Sequence, residues 1–133
     1  MTFEDYFEIT GTYELKDGLY NVVGNVSLLK KVKKLPCNFG KVTGSFDCSS
    51  NKLETLEGSP NWVGGYYDFS DNYIKSLYGC PNYIGSNFFI QSNLELKSLD
   101  HLPKHIGGEL WCEYNLEDTK EYKQYLILRE LRK

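Results

Sequence analysis

Hydrophobic positions along this chain come in short alternating bursts that restart with a fixed period. Laid on one another, residues 42–62 (VTGSFDCSSNKLETLEGSPNW), 63–83 (VGGYYDFSDNYIKSLYGCPNY) and 84–105 (IGSNFFIQSNLELKSLDHLPKH) agree column by column, and a fourth unit, IGGELWCEYN, starts at Ile106 and stops after Asn115. Self-similarity of this kind outranks local propensity as a guide to fold. Phe46, Tyr67, Phe88 and Leu110 align, as do Cys48, Phe69, Ile90 and Cys112 two residues on, which is the alternation of a short strand with one buried face. Leu53, Ile74 and Leu96, then Leu56, Leu77 and Leu99, supply the opposite wall of a core. Asn51, Asn72, Asn93 and Asn115 follow each strand at constant offset, where an amide side chain bonds backbone groups at a turn and stacked copies form a ladder. Pro60, Pro81 and Pro103 end the second wall, and Gly64, Gly85 and Gly107 are expected to permit a tight return.

The flanks read as caps, which a solenoid needs because its ends otherwise expose unpaired backbone and core. ITGTYELKDGLYNVVG predicts a hairpin turning at Asp17-Gly18. Residues 23–39 keep an opening Val-Gly, apolar alternation and a proline, and read as a degenerate first coil aligned from Val23. After the repeats, Asp118 followed by Glu121 predicts a capping box and a helix over 119–131. The expectation is a single domain over 1–133: a cap over 1–22, repeats over 23–115 and a helical cap over 116–133, mainly β, with coils of about 21 residues and a short parallel sheet.

The run F-x-C-x-x-N-x-L-x-x-L at Phe46–Leu56, with its VGG and LEG-x-P flanks, resembles the leucine-rich repeat pattern, and looks most like the short, helix-poor leucine-rich repeats of bacteriophage and bacterial proteins. The resemblance covers 23–115. It implies a protein-binding role, and for a phage-type protein the handling of a bacterial host, such as inhibition of a host or defence factor.

Composition narrows the classes. With 41% apolar, 15% aromatic and 25% charged residues, the 133-residue chain is neither disordered nor collagen-like. The N-terminal MTFEDYFEIT lacks the basic start and apolar run of a signal peptide, and no stretch reaches the ~20 apolar residues of a membrane span, so a soluble cytoplasmic protein is expected. Four cysteines without a C-x-x-C pair are expected to be reduced thiols, with no metal and no cofactor. A net charge of −3 implies no nucleic-acid partner by itself, but no acidic residue lies between Gly18 and Phe46 while Lys30, Lys31, Lys33, Lys34 and Lys41 all do. That cluster is a solvated loop, a site for an acidic protein or, less readily, a phosphate-binding patch.

Candidate functional residues are those that face outward from the strands. Asp47, Asp68, Phe89 and Trp111 form the central row, with Tyr66 beside it and Glu113 at its end. Exposed Trp and Tyr anchor protein interfaces, so Tyr66, Phe89 and Trp111 form the expected contact patch, with Asp47, Asp68 and Glu113 as its acidic part. Packing of the aromatics on one another or under the last helix is the competing reading. Adjacent aspartates could serve as acid and base, but the row offers no third carboxylate or histidine, and enzymatic activity is not expected. The Gly-Gly pairs lack the lysine and helix of a phosphate loop. His101 and His105 are assigned to return loops, and His105, in the column of Trp62 and Tyr83, is expected to pack like an aromatic rather than act in catalysis. On the last helix Tyr122, Tyr125, Leu126 and Arg129 share one face, leaving Ile127, Leu128 and Leu131 for a partner or a second copy. A self-associating structural subunit is the alternative function.

Overall fold

A computed structural model describes residues 2–132. A short helix α1 (Phe3–Tyr6) leads into a hairpin of β1 (Phe7–Lys16) and β2 (Leu19–Leu28), turning at Asp17 and Gly18 with φ of 53° and 79°. The repeats then lay down β3 (Asn38–Val42), β4 (Phe46–Asp47), β5 (Trp62–Val63), β6 (Tyr67–Asp68), β7 (Tyr83–Ile84), β8 (Phe88–Phe89), β9 (His105–Ile106) and β10 (Leu110–Trp111). A 3₁₀ turn (Tyr114–Asp118) and helix α2 (Lys120–Leu131) close the chain. The result is a mainly β solenoid of about four turns.

Every coil contributes two short strands where sequence reading expected one. The sheet runs β10-β8-β6-β4-β2-β3-β5-β7-β9, with β1 antiparallel on β2. One parallel ladder is β4-β6-β8-β10 and the other β3-β5-β7-β9, and β2 feeds both: Val26 pairs with Phe46 and Val22 with Val42. The chain bends between the ladders at a column of small residues, in which Gly44 N donates to Gly24 O (2.8 Å), Gly65 N to Gly44 O (2.8 Å), Ser86 N to Gly65 O (3.0 Å) and Gly108 N to Ser86 O (2.9 Å).

Three expectations are corrected here. The first coil is in register through Val22, not Val23: Val22 is buried and Val23 exposed, a one-residue slip that exchanges the two faces of the strand. The boundary drawn between 22 and 23 therefore falls inside β2, which belongs both to the hairpin and to the first coil. Gly64, Gly85 and Gly107 have no positive φ; they are required because a Cβ on any of them would meet the carbonyl oxygen of Thr43, Gly64 or Gly85 in the coil before. Thr119, not Asp118, caps α2, its hydroxyl accepting from Tyr122 N at 3.2 Å.

The core columns fill as expected. Phe46, Tyr67 and Phe88 are fully buried behind the first ladder, Leu53, Ile74 and Leu96 opposite them. Tyr67 meets its hydroxyl's need for a partner with Ser59 Oγ at 2.6 Å. The asparagine ladder holds one coil on the next: Asn72 Nδ2 donates to Cys48 O (2.9 Å) and Phe69 O (3.1 Å) while its Oδ1 accepts from Leu53 N (3.0 Å), and Asn93 repeats this with Phe69 O, Ile90 O and Ile74 N. Asn115 leaves the ladder and lies exposed in the 3₁₀ turn, whose Leu116 is buried instead.

Helix α2 closes the last coil mainly through one side chain. Tyr125 is buried, and its hydroxyl accepts from Leu110 N and donates to Gly108 O, both at 2.9 Å, in place of a fifth coil. Arg132 Nη2 donates to Lys104 O at 3.3 Å. No helix among the described residues is long and apolar enough to cross a membrane.

Candidate functional site

Each ladder displays one outward side chain per coil, so two rows run down the surface. On the first ladder the row is Asp47, Asp68, Phe89 and Trp111, in direct register. Asp47 and Asp68 each close a local turn: Asp47 Oδ1 accepts from Ser49 N (2.9 Å) and Ser49 Oγ (2.7 Å), and Asp68 Oδ1 from Ser70 N (2.9 Å) and Ser70 Oγ (2.6 Å). Burial pushes the Asp68 carboxyl up from the usual aspartate range, and the Asp47 charge adds to it, against the two bonds from Ser70. Glu113 accepts from Ser92 N and so ties the fourth coil to the third.

The aromatic end of this row is continuous. Tyr66 meets Phe89 edge-on, with centroids 6.0 Å apart at 80°, and Phe89 lies 6.4 Å from Trp111 at 19°. Trp111 is 48% exposed and Tyr66 37%. Trp111 ends the row because no fifth coil follows, and among the described residues Phe89 is the only ring against it. Tyr66, Phe89 and Trp111, brought together from three successive coils, are thus one patch with the two aspartates at its other end.

The second row was read in the sequence only as a column of Trp62, Tyr83 and His105, with His105 packing like an aromatic, and not as a strand ladder. Lys41, Trp62, Tyr83 and His105 are paired in register on β3, β5, β7 and β9, so His105 stands on a strand and not in a return loop. Trp62 and Tyr83 stack with centroids 4.8 Å apart at 3°, Tyr83 and His105 at 4.6 Å and 5°. These separations equal the spacing of paired strands, so the stack follows directly from in-register parallel pairing. Lys41 Nζ sits over the Trp62 ring at 4.3 Å. At the far end, burial and then the nearby Arg132 hold the His105 imidazole below its ordinary pKa. The repeated pairs Trp62-Val63, Tyr83-Ile84 and His105-Ile106, outward then buried, were the signal for this ladder.

The remaining candidates separate. In the loop holding Lys30, Lys31, Lys33 and Lys34, Val32 packs on the core, Lys31 Nζ donates to Ser50 O (3.1 Å) and Lys33 O accepts from Glu54 N (2.8 Å), so the cluster is tied to the coil behind it. His101 occupies the column of Gly58 and Gly79 and, like them, has positive φ, 73°. On α2, Ile127 and Leu131 point to solvent, 63% and 77% exposed, whereas Leu128 borders a groove of 330 Å³ against the third coil with His101, Pro103 and Arg132. Leu126, expected to pack inward, is exposed. Burial raises the thiols of Cys37 and Cys112 to about 11 and Cys80 to about 12, so these sulfurs stay protonated near neutrality. No protein-family model, no curated protein and no solved structure matches the chain.

Proposed function

We propose that this protein is a non-catalytic binding module that acts by occupying a surface of another protein. The observation that carries the reading is the continuous Tyr66–Phe89–Trp111 patch, left uncovered by every cap of the fold. Large amphipathic rings on rigid strands lose little conformational entropy on docking, which is why Trp and Tyr dominate interface energetics. Asp47 and Asp68 beside the patch favour a partner with basic residues flanking an apolar socket. The lysine loop is a second electrostatic contact for an acidic part of the partner. The finer reading, a phage-type protein that binds and inhibits a bacterial host or defence protein from within the host cytoplasm, rests on the leucine-rich-repeat resemblance alone.

The test is capture of a partner from bacterial lysate, followed by calorimetric titration of the purified partner against Phe89→Ala/Trp111→Ala. Loss of two anchors should weaken binding by about 100-fold or more, while the unfolding cooperativity is retained. Normal affinity in the folded double variant would overturn the anchor assignment.

A further inference from the structure

The outer edge of β1 belongs to neither row, and at ten residues it is far longer than the two-residue edges at β9 and β10. The hydrogen-bond direction along it can be read from β2. Val26 N donates to Ser45 O (2.9 Å) and Val22 O accepts from Thr43 N (3.0 Å), so both turn their backbone groups away from β1. Their partners across the hairpin, Ile9 and Tyr13, therefore turn theirs to the free edge, and by alternation so do Phe7, Gly11 and Leu15. The strand contains no proline to blunt this edge, and Leu15 lies 59% exposed at its end.

We infer that this edge pairs antiparallel with β1 of a second copy, about a two-fold axis through Thr12. Register decides the occupant. Pairing must oppose odd residues to odd ones, because those carry the outward N–H and C=O groups, and this leaves few alignments. With the axis at Thr12, Glu8 faces the partner's Lys16 and Lys16 the partner's Glu8, in the non-hydrogen-bonded sites where side chains come closest. Ile9 and Leu15 then face each other twice, and Tyr13, whose ring rests on Phe3 of its own chain, falls opposite the bare Gly11 of the partner. Moving the axis to Gly11 sets Glu8 against Glu14 at both ends, two like-charge pairs. Moving it to Tyr13 strands Glu8 beyond the end of the partner's strand. The Thr12 axis alone uses residues 8–16 in full with opposite charges at both ends.

A two-fold axis perpendicular to the sheet keeps its two faces unmixed, so both copies bend the same way at Gly11 and Gly24, where φ is 116° and 139°. The ladder carrying Trp111 ends at β10, away from β1, so the dimer would carry two free aromatic patches and bind a multivalent target with avidity. The pairing itself stands apart from the binding role proposed above.

Sedimentation velocity over ~1–100 µM tests it, because association must follow mass action. The wild-type protein should pass from monomer to dimer. Lys16→Glu and Glu8→Lys, both at exposed positions, should each raise the dissociation constant about tenfold or more by opposing like charges twice. The charge-swapped Glu8→Lys/Lys16→Glu chain should regain wild-type association, which no purely structural role of either residue would produce. A wild-type monomer at every concentration, single variants that associate like wild type, or a swap as weak as the singles would each overturn the proposal. So would a dimer abolished by Ile127→Ser/Leu131→Ser and indifferent to Lys16→Glu.

Discussion

Two rows of side chains descend the same solenoid at the same one-per-coil spacing, and they finish differently. Lys41, Trp62, Tyr83 and His105 form an unbroken column, with Arg132 bonded to the neighbouring Lys104 carbonyl near its end. Asp47, Asp68, Phe89 and Trp111 change character halfway, and the last ring has solvent where the next coil would be. In the first case each ring buries its neighbour's face, and the free energy goes into holding coils together. In the second, aromatic surface is held rigid but left open. Identical backbone geometry thus yields a stabilising column or a docking surface, depending on whether the series of rings is closed.

The largest expected effect comes from removing what both rows share. Asn93→Ala would strand Ile74 N and the Ile90 carbonyl in the core and leave the Phe69 carbonyl with Asn72 alone, at about 2–4 kcal/mol by chemical denaturation, and should disorder both rows together. Breaking the closed row alone comes next. Tyr83→Ala removes the ring in contact with both Trp62 and His105 and should cost about 1–3 kcal/mol without touching partner affinity. Trp111→Ala, by contrast, should lower stability by less than about 1 kcal/mol.

The smallest effect is a difference in sign. The folded chain holds His105 below its ordinary value of 6.5, so the unfolded chain takes up that proton first and this contribution is eroded as the pH falls below about 6.5. Asp68 is held above 3.8, so its penalty is present above the folded value and relieved as the pH falls through it. Thermal melts between pH 4 and 8 should show less acid destabilisation in His105→Phe than in wild type. Asp68→Asn should gain more at pH 7 than at pH 4. Slopes of equal sign for the two sites would remove this distinction between the rows.

The repeat length, the inward columns and the asparagine ladder were legible because each recurs in register and each has one physical job. The second ladder was not, although Val22, Val42, Val63, Ile84 and Ile106 each precede by four residues the buried residue of the first ladder, at Val26, Phe46, Tyr67, Phe88 and Leu110. Proline just before Trp62 and Tyr83 reads locally as a loop, and a two-residue strand leaves no alternation of its own to detect. The same spacing would have set the first coil at Val22 rather than Val23. In the first row, the alternation of the aligned repeats told which rings face outward; whether they are covered depends on where α2 lies, which only the packing of Tyr125 decides. Of the helix residues set aside for association, Ile127 and Leu131 are free and Leu128 is half committed to the groove.

The most direct test sets the two rows side by side: titration of the captured partner against Tyr83→Ala and against Phe89→Ala/Trp111→Ala, each with its unfolding curve. Tyr83→Ala should bind like wild type on a weakened fold, and the double variant should fail to bind on a fold close to wild type in stability. The reverse assignment, or two variants that bind equally well, would contradict the division of labour between the rows.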